Sequence, residues 1–166
     1  MTAATPLGVE VIDHLQEQIS SGRRLLGSIL AQGKAIREQD VEGVVARLAD
    51  IKTEMDLRAR LEGERTDLLV RAGAQLGVPA AAVTLEAMTG LMNPAIAEQA
   101  RQRSAELRGL LDEVTREHGI NRALMRQELA FLDHLVRLLA KEPDTGYRPG
   151  GPTAPPSNHH VLNLQA

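Results

Sequence analysis

PAIAEQARQRSAELRGLLDEVTREHGINRALMRQELAFLDHLVRLLAKE, residues 94–142, is the stretch that decides the fold. Asn93-Pro94 opens it as a helix, since Asn caps free amides and Pro at the first helical position sacrifices no hydrogen bond. From Ile96 the chain alternates three- and four-residue steps through positions 100, 103, 107, 110, 114, 117, 121, 124, 128, 131, 135 and 138. That is the heptad step of a coiled coil. A continuous helix to Glu142 would be about 70 Å long at 1.5 Å rise per residue. Its second half adds Met125, Leu129, Leu132, Val136 and Leu139 to the seam. A two-helix seam does not need so wide an apolar face, so a third helix or a partner has to cover it.

Upstream, Thr5-Pro6 repeats the cap-and-proline signal, and Ile12, Leu15, Ile19, Leu26, Ile29 and Ile36 form a second heptad stripe. Gly22 and Gly33 stand in its two vacant positions. Each glycine costs about 1 kcal/mol inside a helix relative to Ala. The helix therefore depends on its neighbours, and the small residues allow a close approach. Asp40 caps the next helix, whose stripe runs Val41, Val44, Leu48, Ile51 and Met55 and resumes in a shifted phase at Leu57, Leu61, Leu68 and Ala72. Gly77 and Pro79 stop it. In the connection, Thr84 caps a short turn with Leu85, Met88 and Met92 on one face. These make either a lid over the bundle end or an adaptable methionine surface.

These elements predict an all-α protein: an antiparallel helical hairpin or three-helix coiled-coil bundle, elongated, with a flexible C-terminal tail. The expected helices are 6–38, 41–76 and 94–142, joined by a connection at 77–93. Composition agrees, because one Phe, one Tyr and no Trp leave a core of aliphatic knobs suited to helix seams. Beyond 142 the composition changes abruptly. Residues 143–166 hold five of the eight prolines and too little apolar content to order themselves, apart from Val161, Leu162 and Leu164.

The formal net charge is −3 with no basic stripe, which argues against nucleic acid as a partner. The absence of cysteine removes disulfides and thiolate metal sites. No signal peptide and no span of about 20 apolar residues is present, so the expected location is the cytoplasm. The five histidines share no ligand spacing, no phosphate loop follows a strand, and no serine has a nucleophile's setting. Neither catalysis nor a metal or other cofactor is expected. Asn121, a polar residue in the seam, is either a device that fixes register or a hydrogen-bond donor toward a bound peptide.

Four stretches carry a resemblance. Asp40 to Gly73, with Ile51-Lys52, Leu61, Glu64-Arg65 and Leu68-Leu69, resembles the middle of FlgN-type flagellar export chaperones. Residues 121–139, NRALMRQELAFLDHLVRLL, are similar to that family's last helix. Residues 145–151, TGYRPGG, resemble its Tyr-Gly…Gly segment, although Arg148 follows Tyr147 here, and Gln32 stands where members carry Glu. The closing Val161 to Leu164 is also similar. The resemblance implies a cytosolic chaperone of type III protein export. Such a protein binds the disordered, amphipathic end of hook–filament junction (hook-associated) proteins and delivers them to the membrane export gate. Client contacts would fall on Asn121, Leu124, Leu129, Leu132, Leu135 and Leu138, and contact with the gate's cytosolic domain on Tyr147. Membrane association would be only transient, through the export apparatus, and a weak homodimer stays open. The competing readings are a structural coiled coil that only self-associates, or an adaptor of another secretion system.

One prediction follows from composition alone. A chain truncated after Glu142 should keep its helical circular dichroism, with a melting temperature within a few degrees of the full chain, because little apolar area is removed. Loss of either would show that Val161, Leu162 and Leu164 are integral to the bundle.

Overall fold

The computed structural model describes residues 6–140 and is all-α, with no strand among the described residues. The helices are α1 (Pro6–Arg37), α2 (Val41–Leu76), α3 (Leu85–Thr89) and α4 (Pro94–Ala140), with a 3₁₀ turn at Ala80–Ala82. The chain divides into two units, Met1–Ala130 and Phe131–Ala166. α4 contributes residues 94–130 to the first and 131–140 to the second.

In the first unit, α1 and α2 form an antiparallel hairpin with a turn of three residues. Gln39 takes a left-handed conformation, φ 57°, and the Asp40 N–H bonds back to the Ala35 carbonyl at 2.9 Å. That closes the orphan carbonyls of α1 in the manner of a Schellman motif. Asp40 then caps α2, accepting from the Gly43 N–H at 2.9 Å. Farther along, Ser21 and Arg24 on α1 both donate to the Glu54 carboxylate on α2, and Arg71 pairs with Glu10. α2 stops at Gly77, φ 69°. Gly73 has its own reason to lack a side chain, because a Cβ there would lie 2.7 Å from the Val78 carbonyl oxygen.

α4 returns parallel to α1 and very close to it. A Cβ on Gly22 would sit 2.8 Å from Leu110 Cδ2, and one on Gly33 would sit 2.5 Å from Asn121 Oδ1. The two contacts are 11 residues apart on both helices, about three turns. The expected close approach at these glycines is therefore present. Gly27, by contrast, faces open space.

The burial pattern departs from the expected stripes in two places. α1 buries a second row beside the first, with Gln18, Ser21, Leu25 and Gln32 all covered. It is the helix the others pack around, and one heptad stripe is too narrow for that position. On α2, Val44 and Ile51 are half-buried, whereas Val41, Leu48 and Met55 are exposed and join Val45 on an outer row. The first half of α2 is apolar on so many sides that periodicity could not tell the inner row from the outer.

The main core closes the end where α1 and α4 begin. Leu7, Val11, Leu68, Ala72, Met88 and Ala100 are packed there. Met88 is buried, so α3 acts as the lid. The Arg101 guanidinium on α4 grips it, donating to both Glu86 oxygens at 2.8 and 3.2 Å and to Thr89 Oγ1 at 3.0 Å. This pairing holds the Glu86 carboxyl below its usual range.

Asn121 requires a correction. As a client contact it would present its amide to a peptide, but it is only 2% exposed. Its Nδ2–H donates to the Ile29 carbonyl at 2.7 Å and to Gln32 Oε1 at 3.3 Å. Both partners lie on α1, so the amide is consumed in the α1–α4 seam and acts there as the register device. Gln32, 2% exposed, suits this site better than Glu, because an ionised carboxylate in so dry a position would be costly to bury. Asn121→Ala should lower stability by about 1–3 kcal/mol, since it strips a buried bond and strands Gln32. Urea denaturation reads the change; a variant as stable as the parent would contradict this role.

Candidate functional site

The register at Gly33 and Asn121 determines which part of α4 is covered. Counting from that contact, Arg37, the last residue of α1, falls opposite Met125. Leu124 and Met125 are half-buried, and every residue from Arg126 to Ala140 is exposed. Leu124 thus belongs mainly to the seam. Leu129, the next expected contact, is 66% exposed on the first unit.

The second unit's described residues, 131–140, form one helical stretch that is amphipathic and has no cover. Phe131, Leu132, Leu135, Val136, Leu138 and Leu139 are all exposed, with Leu139 at 74%. At 3.6 residues per turn these side chains sweep roughly 160° of the circumference. Asp133, His134 and Arg137 take the remaining arc, and Arg137 pairs with Asp133 at 2.7 Å. So many large apolar groups in water are unfavourable, by about 25 cal/mol for each Å² left uncovered. Leu132, Leu135 and Leu138 from the expected set lie in this arc. Phe131, Val136 and Leu139 belong with them; the width of the apolar face signalled their presence, although the seam positions and leucines drew the attention. Tyr147 lies outside the described residues.

A second exposed row runs along α2 through Val41, Val45, Leu48 and Met55, with Lys52 paired to Asp56 between them. Among the described residues no group of three or more His, Cys, Asp or Glu is placed to hold a metal ion. No described helix is long and apolar enough to cross a membrane. His14 lies against Gln18 and Glu64, and its pKa is lowered by burial, an effect that the carboxylates of Glu64, Glu17 and Glu62 oppose. The chemistry these surfaces offer is apolar contact, which suits the binding of another chain.

Comparison with known proteins agrees with the resemblance found in the sequence. No curated protein and no solved structure matches this chain. The family model described as FlgN protein matches residues 8–155, nearly the whole length and all four helices. The chain belongs to the FlgN family.

Proposed function

We propose that this protein is a cytosolic chaperone of flagellar type III export that holds the amphipathic end of a hook–filament junction protein on the last turns of α4. Family membership supports the flagellar chaperone class. The observation that carries the surface is the uncovered apolar arc at 131–139. An amphipathic client helix laid along it would bury both apolar faces at once, the helix-in-groove mode of recognition. The client's end is then shielded from self-assembly until it is handed over. Leu132, Leu135 and Leu138 are the proposed anchors, with Phe131, Val136 and Leu139 completing the contact. Leu129 is a separate exposed candidate on the first unit.

One observation favours a second reading. The α2 row of Val41, Val45, Leu48 and Met55 is also uncovered, and a structural coiled coil that self-associates would use it. Mass measurement separates the two, because a chaperone exchanges weak self-association for a client complex and a structural rod does not.

Leu132→Asp should leave helicity intact, since the residue is 54% exposed. It should weaken binding of a client-end peptide by about 2 kcal/mol, roughly 30-fold. Unchanged affinity for Leu132→Asp and Leu129→Asp alike would place the client elsewhere.

Tyr147 is the proposed anchor to the cytosolic domain of the export gate. The family resemblance of residues 145–151 motivates this, and a lone amphipathic ring adds contact area with few torsions to freeze. Tyr147→Ala should preserve helicity and client binding while weakening association with the gate domain. An equal loss of client binding, or unaltered gate binding, would remove Tyr147 from that role.

A further inference from the structure

Large apolar side chains are unevenly distributed in the sequence that follows α4. Residues 141–160, KEPDTGYRPGGPTAPPSNHH, contain no Leu, Ile, Val, Met or Phe, whereas Val161, Leu162 and Leu164 fall within four consecutive positions. A spacer of 20 residues thus separates two apolar clusters of one chain, the arc at 131–139 and the short run VLNL. Both belong to the second unit, Phe131–Ala166. Phe131, Leu132, Val136, Leu138 and Leu139 of the arc are each more than half exposed. Leaving either cluster in water is unfavourable in proportion to its apolar area.

Reach and concentration select an occupant for the arc in the free protein. A flexible spacer of 20 residues has a root-mean-square span of roughly 25 Å, and its five prolines lengthen it further. The arc is only about 12 Å long at 1.5 Å per residue, so every turn of it lies within reach. Such a tether holds the second cluster beside the arc at an effective concentration of roughly millimolar. A second copy at micromolar concentration starts about a thousandfold behind. Chemistry agrees with reach. Residues 161–166, VLNLQA, carry no charge, so seating them strips no ion of its water. Wound into one helical turn, Val161, Leu162 and Leu164 would span roughly 160° and leave Asn163 outside, so all three can meet one surface.

We propose that residues 161–164 fold back on α4 and cover the arc in the free protein, as an internal occupant that an incoming segment has to displace. The three side chains lie along the mid-line of the arc, over Leu132, Leu135 and Leu139. They cover only part of it, and a longer amphipathic helix that reaches the whole arc replaces them. Its apparent affinity is lowered by the fraction of chains in which the arc is already taken. As a control on client binding this rests on the arc being the client surface; the fold-back itself rests only on the two clusters and their tether.

The test uses the full chain, which has no cysteine, so Gln165→Cys accepts a single nitroxide. In the ¹⁵N-labelled protein the nitroxide should broaden the amides of residues 131–136. Leu162→Asp combined with Leu164→Asp should reduce that broadening severalfold, with helical circular dichroism unchanged. A mixture of ¹⁵N chains lacking the nitroxide and unlabelled chains carrying it should show none. Four results would overturn the proposal: no broadening at 131–136, broadening that survives the double substitution, broadening in the mixed sample, or broadening confined to Val41–Met55 or to Leu107 and Leu111. They would mean, in turn, no docking, tethering alone, a second copy as occupant, and docking elsewhere. The doubly substituted chain should also bind the terminal segment of a hook–filament junction protein about threefold or more tightly than the parent. Should that segment bind while neither its affinity responds to the double substitution nor the broadening to its addition, the fold-back stands and the arc is not the client surface. That failure belongs to the function proposed above, whereas loss of the broadening pattern alone is a failure of the fold-back.

Discussion

α1 and α4 lie close together at Gly22 and Gly33, where a Cβ would meet a side-chain end of α4. Leu110 presses against the first and Asn121 against the second. The Asn121 amide then bonds the Ile29 carbonyl and Gln32. Apolar side chains can slide by a heptad and still find neighbours, but a slide would take this amide away from the Gln32 carboxamide. The contact thereby favours one register of the parallel pair. Since α1 has 32 residues and α4 has 47, that register also sets where cover runs out.

The remaining interactions run from the lid end to the turn. At the α3 end, aliphatic side chains from all four helices meet, and Arg101 fastens the lid from outside. Midway, Ile19, Leu25, Ile29 and Leu61 continue the buried seam, flanked by polar clasps such as Ser21 and Arg24 on Glu54. At the turn end, Asn121 and its partners are the last buried group on α4, and Val41, Val45 and Leu48 of α2 are already in solvent. The buried seam runs the length of α1, while exposed apolar groups accumulate on α2 near the turn and on residues 131–139. Contacts made on those exposed groups can form and break without opening the core.

Much of this was legible in the sequence. Pro6, Asp40, Gly77 and Asn93-Pro94 marked helix ends that the structure reproduces to within a few residues, because caps and breakers act locally. The excess width of the 124–139 face was readable as well, since its apolar residues outnumber what any seam uses. What could not be read was which apolar row faces inward. Val41, Leu48 and Met55 look like seam positions by spacing, and only tertiary packing reveals that Val44 and Ile51 turn toward α1. Asn121 carried two readings that spacing cannot separate; the partner that decides between them, Ile29, is 92 residues away.

Docking of a client on the exposed arc of α4 is what the proposed function depends on. Hydrogen exchange of the full chain, with and without the terminal segment of a hook–filament junction protein, tests it directly. Docking there should slow exchange across the amides of residues 131–139 on adding that segment, with the α1 amides beside Gly22 and Gly33 unchanged. Protection confined to α2 between Val41 and Met55, or no change anywhere on α4, would contradict it.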